Sequence, residues 1–346
     1  MSVEKTKLFA LAQPYAVSSG RIDGQTAYFA ASERRDGQIL LSTGPGRAAS
    51  VISDGPGGCM GLFPLDPNNS RSLLAIEGFY PIFQSEGAGV ALYTAGSDLT
   101  RPWTRRRICD LPFLHRVAMV TAAGTPTLLA ATLCSRKDFR DDWSWPGALY
   151  RIEARPGDAM WPIDPHPLLD HLTKNHGLFV RRHAGRETLY IGADEGVFSI
   201  EVPKNNSQWK IERIFDWPTS DIAVMDLDND GEDEILTIEP FHGNKACVYK
   251  QIDGRWQSVF EHAVDFGHVA WAGKIRGRTS VILGSRGGGK ELILLTLDDP
   301  SLWRFKSTIL DMNVAPMNII VENESECDVV LAANGETNEA ATYKIT

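Results

Sequence analysis

The chain has 346 residues, of which 43% are hydrophobic and 23% charged, as is usual for a globular protein. Its net charge of −9 argues against a nucleic-acid-binding surface, which needs a basic field. No apolar run approaches the roughly 20 residues that span a membrane, and the segment after Met1 lacks the apolar stretch of a signal peptide. Because the five cysteines are scattered and lack CxxC spacing, we expect reduced thiols, a cytoplasmic location and no membrane partner.

Along the chain, short apolar runs recur in pairs, and the second run of each pair ends in small residues. These second runs cover residues 26–32, 71–78, 126–133, 187–194, 233–240, 279–286 and 327–334. Their patterns are typical of buried strands. The repeat of 45 to 61 residues is close to the length of one four-stranded propeller blade. The sequence therefore predicts an all-β, seven-bladed β-propeller with antiparallel blades and almost no helix.

A third strand follows in each repeat, and the chain ends on the last of these at 341–346. The final blade then lacks an outer strand, which residues 7–11 are predicted to supply. This closure would pair two open edges that otherwise favour aggregation. No linker divides the chain, so we predict a single domain over residues 1–346.

An acidic loop of the form D-x-D-x-D-G-x-x-E occupies residues 226–234. Carboxylates that converge around a tight glycine turn form an oxygen cage of the kind that Ca²⁺ prefers. The predicted ligands are Asp226, Asp228, Asp230, Glu232 and Glu234. These nine residues resemble the FG-GAP/VCBS repeats of integrin-like and bacterial propellers. A plain acidic turn is the alternative. We expect a bound Ca²⁺ to be structural, because the loop would lie on the face opposite the site described next.

Seven equivalent positions should form a ring at the top mouth of the central channel, because the first strand of each blade lines that channel. They are Pro14, Cys59, His115, His176, Asp221, His268 and Pro316. A single histidine at such a place is usually a satisfied core residue. Three histidines and an aspartate in one ring favour acid–base chemistry or a divalent transition metal or Zn²⁺ site.

The loops from second to third strands open on the same face and supply the predicted substrate-binding side chains. These are Glu77, Lys137, Arg140, Asp142, Trp143, Asp194 and Glu239. Such a mixture suits a sugar, because aromatic rings stack on it while charged groups bind its hydroxyls. The carboxylates could instead cap strand ends, and the tryptophan could pack an insertion onto the body.

The layout is similar to the propeller domain of aldos-2-ulose dehydratase and to propeller-fold sugar lyases. The resemblance rests on seven blades, histidines at inner-strand starts and the stretch Trp145-Pro146-Gly147. It implies β-elimination from a keto-sugar or uronic acid. His115 or His176 would be the base, Arg286 the charge stabiliser and Tyr80 an alternative acid. The predicted metal ligands are His176, His242 and His268.

A non-catalytic propeller that binds carbohydrate or protein is the second hypothesis, since the fold hosts both uses. A lectin more often repeats one binding motif in every blade, whereas here the polar residues concentrate at one mouth. Metal-dependent hydrolysis of a lactone or phosphoester is a third and weaker idea.

Overall fold

In the computed structural model, residues 1–153, 165–205 and 207–346 are described, and they form 28 β-strands. The only helix in this part of the chain is a 3-10 turn at Pro300–Leu302. No helix among the described residues is long and apolar enough to cross a membrane.

The strands fall into seven sheets of four antiparallel strands, which are the predicted blades. The N-terminal strand is β1 (Val3–Ala10). Blade 1 contains β2 (Pro14–Ile22), β3 (Gln25–Ser32), β4 (Ile39–Ser42) and β5 (Ser50–Ser53). Blade 2 contains β6 (Gly61–Pro64), β7 (Ser72–Glu77), β8 (Gly89–Thr94) and β9 (Thr104–Asp110). Blade 3 contains β10 (Leu114–Ala122), β11 (Thr125–Thr132), β12 (Gly147–Glu153) and β13 (His166–Leu172).

The second half of the chain continues the pattern. Blade 4 contains β14 (Gly177–His183), β15 (Arg186–Ala193), β16 (Gly196–Glu201) and β17 (Lys210–Phe215). Blade 5 contains β18 (Ile222–Met225), β19 (Glu234–Glu239), β20 (Lys245–Ile252) and β21 (Arg255–Ala263). Blade 6 contains β22 (Gly267–Ile275), β23 (Arg278–Ser285), β24 (Leu292–Asp299) and β25 (Arg304–Asp311). Blade 7 contains β26 (Pro316–Asn323), β27 (Asp328–Asn334) and β28 (Glu339–Ile345).

The ring is closed as predicted, because β1 pairs with β28 and completes blade 7. The pairing runs from Val3 opposite Ile345 to Ala10 opposite Glu339. The strand begins earlier than the predicted 7–11 and is anchored at its other end by buried Leu8 and Phe9. Closure of this kind covers the outer edge of β28, which would otherwise be left open.

The innermost strands of four blades begin with a β-bulge. The pairing register shifts across one residue in each of them: Tyr15 in blade 1, His115 in blade 3, His268 in blade 6 and Met317 in blade 7. A bulge re-aims one side chain and is often found beside a functional site. In blades 1 and 7 the bulged residue is one position beyond the proline that the sequence placed in the ring.

The hydrophobic core lies between the faces of neighbouring blades. Phe29 of blade 1, for example, packs edge-on against Trp103 at the outer edge of blade 2, with ring centroids 6.0 Å apart. Strands rich in β-branched and aromatic residues favour this face-to-face packing of sheets. Each inner strand is thereby held with its start at the top mouth.

We expect Phe9→Ala to lower the free energy of unfolding by about 3–5 kcal/mol, because it removes a fully buried ring from the closing strand. Chemical denaturation of the whole protein measures this. Lys7→Ala, at an exposed position of the same strand, is the matched control and should change stability by less than about 0.5 kcal/mol. Equal effects of the two variants would contradict a closing role for the buried face of β1.

Candidate functional site at the top of the propeller axis

Four imidazoles meet at the top of the axis. His115, His176 and His268 come from the starts of inner strands and are only 3%, 1% and 2% exposed. His242 joins them from the loop between β19 and β20. The ring of His176 lies 4.6 Å from that of His115, 5.1 Å from that of His242 and 5.4 Å from that of His268, measured between centroids. The structure therefore gathers the predicted histidines into one cluster.

The hydrogen bonds assign the protons in part of this cluster. Nδ1 of His268 lies 2.8 Å from the carbonyl oxygen of Met317, which can only accept, so this nitrogen carries the proton. In the neutral ring, Nε2 of His268 is then an acceptor, and the Tyr15 hydroxyl lies 3.5 Å from it. Nδ1 of His115 lies 3.0 Å from the Arg116 guanidinium, which can only donate. Nε2 of His115 then donates to the Tyr15 oxygen at 3.1 Å.

These contacts form one continuous relay between four blades. The direction of donation runs from Arg116 through His115 and Tyr15 to His268, and ends on the carbonyl of Met317. The four members after Arg116 are the four bulged residues. The bulges therefore bring together groups that are far apart in sequence and give each hydrogen bond a defined donor.

Arg116 also contacts a second histidine. Its guanidinium lies 3.3 Å from Nε2 of His176 and donates to it, so the proton of neutral His176 is on Nδ1. Among the described residues, that buried Nδ1 has no hydrogen-bond partner, and neither has Nε2 of His242. Buried polar atoms without partners are costly, and they often indicate a site for a ligand, ion or water. Here both open atoms belong to the cluster.

Burial keeps these imidazoles neutral. Loss of solvent lowers the pKa of His115, His176 and His268 well below 6.5, and the positive charge of Arg116 acts in the same direction. Burial, together with Arg286 and Arg116, lowers the pKa of His242 to about 3. A histidine with so low a pKa is a weak base, but as a neutral ring it is suited to bind a metal ion.

Asp221 precedes β18 and occupies the ring position between the blades of His176 and His268. Burial raises the pKa of its carboxyl group to about 6, while Arg116 opposes that shift. This pKa lies near neutrality, where a carboxylate can exchange protons efficiently. Asp221 is therefore better suited than the histidines to be a general base.

Aromatic side chains cover the cluster at the mouth. Phe241 stacks on His242 at 4.0 Å and contacts His176 edge-on at 5.6 Å, measured between centroids. Phe83 and Trp143 pack on Phe241 from blades 2 and 3, at 6.3 and 5.8 Å. The set Phe83, Trp143 and Phe241 is called the aromatic cover below. Phe83 has a left-handed backbone with φ of 63°, a conformation that costs about 1–2 kcal/mol outside glycine and is held here by its packing.

Two residues that were predicted to bind substrate, Glu77 and Glu239, form hydrogen bonds to other side chains within their blades. Glu77 is buried and accepts hydrogen bonds from Tyr93, Arg105 and Arg107. Glu239 is buried and accepts them from Trp217, Thr237 and Tyr249. In both blades a tyrosine of the third strand reaches the end of the second strand, as Tyr343 reaches Asn334 in blade 7. These contacts match the alternative in which the carboxylates stabilise strand ends.

The predicted residues of the blade 3 insertion lie around the aromatic cover. The Lys137 ammonium is 3.3 Å from the centroid of the Trp143 ring and donates to the carbonyl of Arg140. Asp142 is buried and accepts hydrogen bonds from Ser144. Lys137 and Trp143 thus face the mouth, whereas Asp142 shapes the loop.

Three other predicted residues lie at the rim. Asp194 forms an ion pair of 2.7 Å with Lys174, whose ammonium is 5.6 Å from the Trp143 ring. Arg286 lies over the ring of Phe266 at 5.1 Å. Tyr80 is 44% exposed, outside the hydrogen-bonded cluster. The roles of Arg286 and Tyr80 in catalysis stay predictions.

The acidic loop of blade 5 lies at the other end of the channel. Oxygen atoms of Asp226, Asp228 and Glu234 are within 4.8 Å of one another. The Lys250 ammonium lies among the carboxylates, 2.8 Å from Asp228, 2.6 Å from Asp230 and 2.9 Å from Glu234. The Ca²⁺ ligand set stays a prediction. Lys250 lies outside residues 226–234, so the sequence motif gave no sign of it.

Sequence reasoning missed Tyr15, Arg116 and the aromatic cover residues Phe83 and Phe241. Tyr15 and Arg116 are each next to a ring position, but in a regular strand a neighbour points to the other face. Only the bulge makes such a neighbour part of the site. The sequence did contain one signal for these loops, the Glu-x-Phe stretch that occurs at both Glu77 and Glu239 and indicates loops of similar shape.

No protein-family model and no curated protein matches the chain. Among solved structures, the chain is similar to Sqt1 of Saccharomyces cerevisiae, with 9% identity, a TM-score of 0.52, and 99% of this chain and 98% of that chain covered. A structure described as a glucose dehydrogenase has 16% identity and a TM-score of 0.48, with 99% of each chain covered. At this identity the likeness to Sqt1 bears on the fold alone. The structure of the chain itself shows a seven-bladed β-propeller with a histidine cluster at its axis.

The raised pKa of Asp221 predicts a pH-dependent effect of Asp221→Asn on stability. Below about pH 4 the carboxyl group is protonated in both folded and unfolded chains, so the two proteins should differ little. As the pH rises from about 4 to the folded pKa of about 6, the wild type loses stability, because the carboxyl group ionises in the unfolded chain while the folded chain keeps it protonated. Asp221→Asn should therefore become more stable relative to wild type by about 2–3 kcal/mol.

Urea denaturation at pH 4 and pH 7.5 measures this difference. Asp216→Asn removes an exposed carboxylate that precedes the same blade and serves as the control. A relative stability of Asp221→Asn that does not change with pH would contradict the assigned environment.

Proposed function

We propose that the protein is a metal-dependent carbon–oxygen lyase that catalyses β-elimination on a small keto-sugar or uronate at the top mouth. The observation that carries the proposal is the set His176, His242 and His268, whose ring nitrogens lie within 4.8 Å of one another. The rings are neutral, and within the described parts of the chain the buried Nε2 of His242 has no hydrogen-bond partner.

The residues fit a divalent transition metal or Zn²⁺. Three imidazoles around a tetrahedral ion with Zn–N bonds of 2.0–2.1 Å have ring centroids roughly 5 Å apart. The three pairs here are separated by 5.0 to 5.4 Å. Nδ1 of His268 already donates to the carbonyl of Met317, which is the usual outer contact of a ligating histidine and leaves Nε2 for the ion. A bound ion would supply Lewis-acid stabilisation of the enolate.

Side chains of the cluster supply the proton transfers. Asp221 removes the proton α to the carbonyl or carboxylate group, because its pKa of about 6 makes it a carboxylate at neutral pH. The electron pair released forms the α,β double bond as the β carbon–oxygen bond breaks. Tyr15 gives its proton to the leaving oxygen, so that water departs, while Nε2 of His115 donates a hydrogen bond that stabilises the Tyr15 oxyanion. Solvent then returns a proton to Tyr15, and Asp221 releases the proton that it took, so both groups end as they began.

Arg116 is assigned to bind the negative charge of the substrate. The nitrogen that it contacts on His176 has one lone pair, so ligation through Nε2 and donation by Arg116 exclude each other. Occupation of the metal site through that atom would release one arm of the guanidinium. That arm is then available for a carboxylate or an enolate oxygen, for which arginine is well suited.

The aromatic cover and its neighbouring cations are assigned to the substrate. The Lys137 ammonium lies over the Trp143 ring and the Lys174 ammonium is 5.6 Å from its centroid, so an aromatic ring and two cations are close together at the mouth. Entry requires the cover to move, because the histidines beneath it are buried. A binding propeller without catalysis is supported by no separate observation and becomes an outcome of the test.

The first experiment is metal content by mass spectrometry on wild type and on His176→Ala/His268→Ala. We expect about one transition-metal ion per chain in wild type and its loss in the variant. His183→Ala, an exposed histidine at the end of β14, is the matched control and should keep the ion. Absence of such an ion from wild type after reconstitution with Zn²⁺, Mn²⁺, Fe²⁺ or Co²⁺ would contradict the metal centre.

Activity is measured with a panel of keto-sugars and uronates by the ultraviolet absorbance of the unsaturated product. Asp221→Asn should lower kcat by roughly 10²–10⁴-fold, as expected for loss of a general base, and leave metal content unchanged. Arg116→Met should also lose activity but bind the ion at least as tightly as wild type, because a competitor for His176 is removed. Substrate binding without turnover in the metal-loaded wild type would indicate a binding propeller instead.

A further inference from the structure

We propose that Lys250 is a built-in cation that occupies the acidic loop of blade 5 and excludes Ca²⁺ from it. The ammonium group touches three carboxylates, those of Asp228, Asp230 and Glu234, at 2.6 to 2.9 Å. Lys250 belongs to β20 and not to the loop. Its position among the carboxylates is therefore an observation, separate from the acidic motif, that this cage holds a cation. This inference does not depend on the proposed function.

The strand register places the lysine there. Ile235 of β19 pairs with Tyr249 of β20, so the next pair along the ladder would be Glu234 and Lys250. The loop then turns back over this pair through Gly231, which has φ of 96°. The carboxylates of the D-x-D-x-D-G motif thus surround the side chain of Lys250, which comes from the third strand of the same blade.

Lys250 and Glu234 are too buried to be replaced without cost. Their side chains are 16% and 1% exposed. Glu234 also accepts a hydrogen bond from the backbone of Leu227 at 2.7 Å, which fixes its position. A carboxylate so buried needs a nearby cation, and a displaced ammonium would lose three charged partners.

Two further carboxylates of the loop are also engaged by the chain itself. Asp226 accepts hydrogen bonds from the backbone N–H groups of Asp230 and Gly231 and holds the turn. Asp233 forms a bidentate pair with Arg181 of blade 4. The loop is therefore shaped and partly neutralised by internal contacts, and Ca²⁺ would have to compete with an ammonium that belongs to the chain itself.

Removal of that ammonium should turn the loop into a Ca²⁺ site. In Lys250→Met the chain length and apolar stem are kept, and three carboxylates face one another without a cation. We expect this variant to bind Ca²⁺ at least roughly 100-fold more tightly than wild type, because loss of a unit charge at contact distance from each carboxylate changes their field strongly. Ca²⁺ should also raise its Tm, whereas the Tm of wild type should not differ between Ca²⁺ and a chelator.

Isothermal titration with Ca²⁺ and Tb³⁺ luminescence measure the binding. Trp303 lies 5.8 Å from the Lys250 ammonium, so excitation of tryptophan should sensitise a Tb³⁺ ion in its place. Lys250→Met/Asp228→Asn should lose the gained affinity. Lys274→Met removes an ammonium that donates to the exposed Asn229 amide of the same loop, and it should behave as wild type.

Ca²⁺ binding to the wild type tests whether Lys250 excludes the ion. Stoichiometric Ca²⁺ binding to wild type as tight as to Lys250→Met would overturn the proposal. Failure of both to bind at millimolar Ca²⁺ would overturn the claim that the cage fits this ion. If Lys250→Met does not fold, Lys250→Gln provides a second neutral side chain that can hydrogen-bond the carboxylates, and the same two outcomes apply.

Discussion

Closure of the ring by β1 is the constraint on which the site depends. The pairing of β1 with β28 joins the two ends of the chain and fixes seven inner strands around one axis. Only in that closed arrangement does Tyr15 of the first blade lie between His115 of the third and His268 of the sixth. The polar cluster is therefore a consequence of topology, because no two of these residues are neighbours in sequence.

Burial then decides what chemistry the cluster can perform. Loss of solvent lowers the pKa of the histidines and raises that of Asp221, so the imidazoles stay neutral while the carboxyl group titrates near pH 6. The expectation from sequence was a histidine base, since an unperturbed imidazole titrates near neutrality. The environment reverses these roles, and it favours histidine as ligand or proton relay and aspartate as base.

The fold could be predicted from the sequence because every blade repeats the same pattern, a buried apolar second strand at an equivalent position. The ring histidines were accessible for the same reason, since His115, His176 and His268 occupy equivalent places. Tyr15 and Arg116 were not, because a bulge shifts the register by one residue and no periodicity reports it. Glu77 and Glu239 looked like site residues by position, yet cross-strand tyrosine and arginine or tryptophan partners hold them inside the blades.

A cation of the chain itself lies in each of the two clusters that sequence motifs marked as metal sites. Arg116 donates to His176 at the mouth, and Lys250 lies among the carboxylates at the opposite end. The two cases differ in how much each cation would lose on leaving. Arg116 makes a single contact of 3.3 Å to a neutral ring nitrogen of His176, whereas Lys250 has three contacts below 3 Å to charged groups. Since ion pairs at such distances are far stronger than a long bond to a neutral acceptor, a metal ion should displace Arg116 from His176 much more readily than it displaces Lys250. A ligand motif therefore defines a metal site only together with the cations that neighbouring strands bring to it.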